Sequence, residues 1–588
     1  MNHFQFLNFF GFKKFLTILE RDEKKNLLFS FLLMIVASFL EMLSIGIIIP
    51  LINFLLNPDY VSNDLFSFIP RISSDFLNLS YINLIIFAIL FVYILKNLFI
   101  FFYTFFSSTV ILKLKASISK RLFAQYLKND YLFHLNNNSA LLIRNIQSET
   151  STLINNFVGP FLSFCMMLLT TTFILILLFY YSFISSLIVL FIFGIFGILL
   201  NFYVKGKLKI IGEARQKYAY GILKNLQQGL ALIKEIKLLS KENFFLEKFN
   251  IYNFAMVPLG VKRTVFGTLP KIMYEFIFII LALSAIYYVN LINVPFEKFF
   301  AIFLVYALAS FRIIPSLNGL SVAYQKIKFG LPALELILNE SEKKDKTQKK
   351  LTNVTKDNFN FDKDIELRDV SFRYSDHQKL VLDKINLKIK KNTCIGIIGD
   401  NAAGKSTLIN LICGLTKPQE GKILVNEKSI FNNLTEWQKL IGFIPQSIYL
   451  LDDNVQNNIA IGVDEKNIDK EKIKKLLLLA GLSETLNSKD LVGEGGRNIS
   501  GGQKQKIGIA RALYHEPKIL IYDEPTSAMD IASEEQLTET IFNHAEEKTL
   551  IIISHRPRVL KYCDFIYKLE DKKISLVDLK SINLNKFE

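Results

Sequence analysis

Six long apolar runs fill the first half of the chain, and strand-like alternation interleaved with helical patterns fills most of the second. The runs lie roughly at 26–56, 81–112, 158–181, 183–204, 264–290 and 299–324. Each reaches the length of about 20 residues that a helix needs to cross a bilayer. The segment between the first two, NPDYVSNDLFSFIPRISSDFLNLS, carries one Arg and three Asp, whereas 113–150 and 205–263 are rich in Lys and Arg. The positive-inside rule then puts those basic segments and the N-terminus in the cytosol. The outer connections at 181–183 and 291–298 are very short, and the inner ones are long enough to extend the helices into the cytosol and to carry short connecting helices there. Met1–Lys25 mixes Phe and Leu with Lys13, Lys14, Arg21, Lys24 and Lys25 and has no cleavable signal, which predicts an amphipathic helix on the cytoplasmic interface.

From Leu336 to Asp362 the apolar period is lost and Lys accumulates, the mark of a linker. The expected organisation is an all-α membrane domain of six spans at 1–335, a linker at 336–362 and an α/β domain at 363–588.

Charges inside apolar spans are costly and call for partners or water. Glu41 and Lys96 fall near the middle of consecutive antiparallel spans, so a mutual pair is expected. Lys271 and Glu275 are four residues apart on one helix and can satisfy each other. Arg312 stands mid-span, three residues before Pro315, with no acid in its own span. A guanidinium there is expected to face a water-filled cavity, where it can grip a phosphate with two parallel hydrogen bonds. Arg263, beside Lys262 at the inner end of the fifth span, can extend that basic surface or serve as a snorkelling anchor.

Composition fits a membrane chain: 51% of the 588 residues are hydrophobic, which excludes an ordinary soluble enzyme. The net charge of +16 follows the loops beside the spans, so topology rather than nucleic-acid binding accounts for it. The 53 Phe and 23 Tyr read as lipid-facing surface rather than a substrate box. Cys165, Cys394, Cys413 and Cys563 lack metal-ligand or disulfide-framework spacing and read as small core residues in a reducing compartment.

The most specific chemistry is GDNAAGKST, Gly399–Thr407, between the apolar run Cys394–Ile398 and a helical pattern. Strand, glycine loop, lysine, hydroxyl and helix is the order of a phosphate-gripping loop. Its backbone N–H groups, from Gly399, Asp400, Asn401, Ala402, Ala403 and Gly404 onward, converge at the positive end of the helix. Lys405 adds a charge for the β- and γ-phosphates and Ser406 a hydroxyl for Mg²⁺, with Thr407 next to it. Ala402 stands where many such loops carry glycine, so its backbone must fit without that freedom. Upstream, Tyr374 ends a strand pattern where it can stack on adenine.

In KILIYDEPTSAMD, the apolar residues Ile519–Tyr522 predict a buried strand beside the phosphate-loop strand, delivering Asp523 and Glu524 at its end. Asp523 suits Mg²⁺, and Glu524 can polarise the attacking water. ISGGQ places Ser500, Gly501, Gly502 and Gln503 at a helix N-terminus, a second anion site. Gln446 and His555 each follow an apolar strand, where Gln446 can sense Mg²⁺ and water and His555 can reach the γ-phosphate.

These elements in this order resemble the nucleotide-binding domain of ABC transporters over roughly 365–570: phosphate loop, Q-loop Gln446, signature ISGGQ, Walker B ILIYDE, D-loop SAMD and switch His555. VGEGG at 492–496 is similar to the X-loop of exporter-type members, and Ile499 replaces the usual leucine of the signature. The resemblance implies a competent ATPase using ATP and Mg²⁺. It also implies a half-transporter that homodimerises, because each ATP in that family lies between one subunit's phosphate loop and the other's signature. YLFHLNNNSALLIRNI and QGLALIKEIKLLSKENFFLEKF resemble exporter coupling loops.

SFLEMLSIGIIIPLINFLL, IKEIKLLSKENFFLEKF and YALASFRIIPSLN are similar to bacterial inner-membrane flippases that move polyprenyl-pyrophosphate-linked oligosaccharides for protein N-glycosylation. A lipid-linked glycan is therefore the expected substrate, with Arg312 and Arg263 as candidate contacts to its pyrophosphate. Exporters of lipid A, peptides or drug-like amphiphiles share the skeleton. An ATP-gated channel or regulator is a further alternative, and a soluble ABC ATPase acting on ribosomes or DNA is disfavoured by the spans.

Overall fold

The computed structural model describes residues 11–48, 81–292, 296–351, 361–375, 379–524, 542, 547–554 and 557–577. It divides into two compact units, the first formed by 1–129 and 137–347 and the second by 130–136 and 348–588.

In the first unit, α1 (Phe12–Ile18) leads into α2 (Arg21–Gly46), which opens with a reciprocal capping box between Glu20 and Glu23. α3 (Tyr81–Lys128) follows, and the short connecting helix α4 (Tyr131–Asn136) belongs to the second unit. Next come α5 (Ser139–Arg144), a π-turn at Asn145–Glu149, α6 (Thr150–Leu153), a second π-turn at Ile154–Val158, and α7 (Gly159–Tyr181). α8 (Phe183–Ala231), α9 (Ile233–Leu239), α10 (Glu242–Ile292) and α11 (Phe296–Leu351) complete the unit. Among the described residues, six helical stretches are long and apolar enough to cross a membrane, matching the six runs. Five of them, at 40 to 49 residues, extend well beyond a bilayer's thickness, which is how the basic inner segments become helical.

Several expectations need correction. The N-terminal segment is not one interfacial helix through residue 25. α1 buries Phe12 and Phe15 in the bundle core, with Phe12 stacked on Phe161 at 3.8 Å between centroids, and Arg21, Lys24 and Lys25 already belong to α2. Two aromatic rings bury more favourably in a protein core than in the headgroup region. The first part of the expected linker at 336–362 is helical: α11 runs through Pro315 and Pro332 to Leu351, and Ile337 is buried in the bundle core. A polar, Lys-rich composition does not stop a helix whose preceding turns are already anchored. The first outer segment and residues 1–10 lie outside the described residues.

The second unit contains two sheets. The strands are β1 (Ile365–Phe372), β2 (Leu382–Ile389), β3 (Cys394–Ile398), β4 (Glu420–Val425), β5 (Lys428–Ser429), β6 (Ile441–Ile444), β7 (Ile519–Asp523), β8 (Thr549–Ile553), β9 (Phe565–Glu570) and β10 (Lys573–Val577). An antiparallel sheet has the order β2-β1-β4-β5, and a largely parallel sheet the order β10-β9-β3-β8-β7-β6. β3 and β8 are buried along their whole length, as expected for central parallel strands covered on both faces. The expected adjacency of the phosphate-loop strand and the Asp523 strand is corrected, because β8 lies between β3 and β7. Consecutive apolar strands are equivalent to a periodicity argument, and only pairing decides their order.

The helix after the phosphate loop is α12 (Lys405–Ile412), and α13 (Lys470–Leu479) and α14 (Gly501–Tyr514) follow later in the chain. Trp437, the single tryptophan, is fully buried and donates its indole N–H to the Ile412 carbonyl at 2.8 Å. All four cysteines are free and buried, as the sequence predicts, and Cys394 Sγ lies 3.3 Å from Cys563 Sγ.

Candidate functional site

The phosphate loop is shaped by three backbone constraints. β3 is followed by Gly399 (φ 156°), where a Cβ would collide with the Leu569 carbonyl oxygen, so only glycine fits. Asp400, Asn401, Ala402 and Ala403 turn the chain, and Gly404 (φ 105°) is the N-cap of α12. Ala402 takes the left-handed region at φ 64° despite its side chain, the conformational fit that the missing glycine demanded.

Lys405 is buried and donates from Nζ to the carbonyls of Gly399 at 2.6 Å and Asp400 at 3.1 Å, so its ammonium is held within the loop. Burial pushes this amine below the ordinary lysine range, while Glu524, Asp400 and Asp523 work in the opposite direction. Tyr374 has its hydroxyl 2.9 Å from Thr407 Oγ1 and its ring edge-on to Phe372, which fixes an aromatic face beside the loop helix.

Asp523 and Glu524 arrive at the end of β7. Burial raises the Asp523 carboxyl above the ordinary range, the neighbouring Glu524 raises it further, and Lys405 and a hydrogen bond with Ser406 oppose the rise. Glu524 adopts φ 50° and donates its backbone N–H to the Ile553 carbonyl at 3.0 Å, which anchors it to the end of β8. Gln446, just beyond β6, donates Nε2 to Glu524 Oε2 at 2.7 Å. The ends of β3, β6, β7 and β8 thus gather the loop, Gln446, Asp523 and Glu524 outside the carboxyl edge of a parallel sheet, where such sheets bind ligands. A polyphosphate can be cradled there by amides and one ammonium, with two carboxylates beside it.

Ser500 is the N-cap of α14. Its Oγ accepts from Gln503 N–H at 3.2 Å, and Gln503 Oε1 accepts from Ser500 N–H at 2.8 Å, a reciprocal box that fixes the helix start. Gly501 and Gly502 form its first turn. His555 and the SAMD segment lie outside the described residues.

The second unit also includes Asp130–Asn136, where Leu132 packs against the core of the ATPase sheets. This segment is the first of the two that resemble coupling loops. The second, around α9, exposes Leu232, Ile233, Leu238, Leu239 and Phe244.

In the first unit, Arg312 is not alone. Its Nη1 lies 3.3 Å from Glu41 Oε1, and this contact replaces the expected pair of Glu41 with Lys96. Lys96 instead places Nζ 4.3 Å from the Tyr93 ring centroid. Helices that cross at the same depth can still turn their charged faces to a third helix. Lys271 and Glu275 do pair along one helix, at 4.0 Å and largely exposed. Arg263 donates to Asn156 Oδ1 and stacks on Phe329 at 4.2 Å, so it is a half-buried packing contact rather than a free snorkelling anchor.

Glu149 is a buried acid that the sequence patterns did not single out. Fully buried at the end of the first π-turn, it accepts from Arg215 at 2.6 Å and Gln216 at 2.9 Å, with Arg144 at 3.9 Å. The available signal was an acid within a basic inner segment.

Comparison with known proteins gives a consistent picture. Residues 382–527 match the ABC transporter family model, and residues 27–313 match that of the ABC transporter transmembrane region. An ATP-dependent lipid A-core flippase of Ralstonia nicotianae is 24% identical over 80% of this chain and 80% of its own length. An alpha-hemolysin translocation ATP-binding protein of Escherichia coli is 36% identical, but over only 36% of this chain and 30% of that protein. The solved structure of a bacterial Atm1-family ABC exporter with ATP bound covers 96% of this chain and 97% of its own, at a TM-score of 0.78 and 18% identity, a likeness of fold. The two family matches, joined in this order on one such fold, make the chain an ABC exporter half-transporter, a multi-pass membrane domain fused to an ATPase domain whose ATP hydrolysis is coupled to transport.

Proposed function

We propose that the chain acts as a homodimer in the bacterial inner membrane, with its N-terminus and ATPase domain in the cytosol. It uses ATP to flip a phosphate-bearing amphiphile, best a polyprenyl-pyrophosphate-linked oligosaccharide. The observation that carries the substrate class is the cationic excess inside the spans, where Arg312 and Lys96 face a single nearby carboxylate, Glu41. Such charges in a membrane segment mark a substrate path. Arg312, whose side chain is 44% exposed, is the group that can meet a headgroup. Arg263 contributes to that surface only after releasing Asn156. Lipid A-core is the second reading, favoured by the similarity to a lipid A-core flippase over 80% of each chain, and it shares the phosphate chemistry.

Gly502 supports the homodimer. Among the described residues, no atom lies within 4 Å of where its Cβ would stand, so the start of α14 leaves open space there. A nucleotide held on the partner's phosphate loop, against Ser500, Gly501, Gly502 and Gln503, fits that space. The exposed leucines around α9 suit docking on the partner's ATPase domain, while Leu132 engages its own.

In the ATPase cycle, the loop amides and Lys405 bind and orient the phosphates, and Tyr374 stacks on the base. Glu524, aimed by Gln446, accepts a proton from the attacking water, and His555 contacts the γ-phosphate. The oxygen donors Ser406, Asp523 and Gln446 fit Mg²⁺, which prefers hard oxygen ligands, and Ser406 and Asp523 are already hydrogen-bonded together. Those residues would hold Mg²⁺, which when bound neutralises phosphate charge.

The deciding experiment is ATP-dependent translocation in proteoliposomes of a labelled polyprenyl-pyrophosphate oligosaccharide and, separately, of lipid A, with Glu524→Gln as the blank. Movement of the glycan lipid only in the active protein supports the first reading. Movement of lipid A alone replaces it with the second, and movement of either by Glu524→Gln at the normal rate removes the pump mechanism.

A further inference from the structure

Three ionisable side chains meet within the spans: Glu41 on α2, Lys96 on α3 and Arg312 on α11. Arg312 and Glu41 are in contact at 3.3 Å, and Lys96 interacts electrostatically with both. Their surroundings differ. Arg312 is 44% exposed at its side chain, Glu41 12%, and Lys96 as a residue only 1%. Among the described residues, Lys96 has no carboxylate at ion-pair distance, and its ammonium rests on the Tyr93 ring. One carboxylate therefore serves two cations. It holds the exposed one and leaves the buried one with a ring face alone.

We infer that Glu41 is a transferable counter-ion, which pairs with Arg312 in the absence of ligand and passes to Lys96 when an anionic phosphate group takes Arg312. The inference rests on the reading of Arg312 as the anion contact. A phosphate cannot bind Arg312 while a carboxylate stays against the same guanidinium, because like charges at that distance repel strongly where water is scarce. Glu41 must leave, and a lone carboxylate inside a span is itself costly. Lys96 is the cation within reach. Its burial suits it to receive a neighbouring side chain rather than a ligand, so it is a positioning residue acting through Glu41. The Lys96–Tyr93 contact is the partner that it gives up, a weaker one than an ion pair. Charge is conserved throughout: the carboxylate changes partner and the arriving anion takes its place, with no proton moved. The exchange also selects, since a neutral headgroup cannot displace a carboxylate from a guanidinium.

The test is binding of labelled polyprenyl pyrophosphate, and of inorganic pyrophosphate, to the full chain in nanodiscs. Lys96→Met should weaken binding at least about fivefold, and Glu41→Gln, which removes the competitor, should tighten it by a similar factor. The decisive result is the double variant: in the Glu41→Gln background, Lys96→Met should cause no further loss. Lys96→Arg should retain wild-type affinity, which separates lost charge from lost packing. Loss from Lys96→Met that persists undiminished in the Glu41→Gln background would mean that Lys96 touches the anion directly, and would overturn the exchange. Weaker binding in Glu41→Gln, or a Lys96→Arg variant as impaired as Lys96→Met, would overturn it too. Arg312→Gln serves the underlying reading: unchanged affinity there, or no binding of either probe by the wild type, removes the anion site itself. The same pattern with polyprenyl pyrophosphate alone identifies a lipid headgroup as the ligand, and with both probes equally, the free anion.

Discussion

Gln446 donates its amide to the Glu524 carboxylate at 2.7 Å, so the residue just beyond β6 sets the position of the acid just beyond β7. The two residues are far apart in sequence and joined by parallel pairing of their strands. The contact aims the carboxylate from one side. Glu524→Gln should keep ATP binding and lower hydrolysis by a factor on the order of 10²–10⁴, the contribution of a positioned general base. Gln446→Ala should lower turnover less, because it removes aim rather than the base. Steady-state ATPase assays with parallel nucleotide-binding measurements check both, and near-normal turnover in Glu524→Gln would exclude it as the base.

Asp523 gives a dependence of stability on pH. Its carboxyl titrates above the ordinary range because burial and Glu524 disfavour the charged form. A raised folded value means a contribution that is fully present below the unfolded carboxylate range and lost as pH rises through the folded value. Asp523→Asn should therefore raise the melting temperature of the nucleotide-free ATPase domain at neutral pH, with the gain vanishing in acid, while Mg²⁺-dependent hydrolysis falls. Trp437, the single tryptophan and fully buried, reports that unfolding by its fluorescence. A gain independent of pH would show that the carboxyl is not the cause.

Ala402, at φ 64°, holds a conformation costing about 1–2 kcal/mol for a residue with a Cβ. Ala402→Gly removes that strain but adds unfolded-state entropy of about 0.5–1 kcal/mol. The expected net effect is small and stabilising, with ATPase retained, and Ala402→Val should be destabilising. Thermal melts followed through Trp437 measure both, and a destabilised Ala402→Gly would contradict the strain.

Glu149 sits fully buried among Arg215, Gln216 and Arg144. Glu149→Ala leaves two guanidiniums without their acid and should cost about 3–5 kcal/mol, the range for breaking a buried pair from one side. Loss of monodisperse protein in detergent is the expected result. The exposed pair Lys271–Glu275 is the contrast, and Glu275→Gln should change stability by less than about 0.5 kcal/mol.

Two leucines exposed at the end of α9 bear on coupling. Leu238 and Leu239 are 76% and 66% exposed, so changing both to Asp should leave folding intact. If they dock on a partner's ATPase domain, substrate-stimulated ATPase and transport should fall together. Unchanged coupling would remove this segment from the interface.

Consecutive residues alone determined the six spans, the order of the ATPase motifs, the left-handed demand at Ala402 and the capped start of α14 at Ser500. Each of these depends on local periodicity, on backbone freedom or on hydrogen bonds between residues a few positions apart. Tertiary structure decided everything that needed a partner from elsewhere: β8 between β3 and β7, Arg312 rather than Lys96 against Glu41, Asn156 against Arg263, and Gln446 against Glu524. It also carried α11 past the point where composition turns polar, because Ile337 is buried against the bundle. The physical reason is common to these cases. Hydrophobic burial sets how deep a helix or strand lies, but its rotation and its neighbours follow from packing among all elements at once, and a side chain's charge partner follows from that rotation.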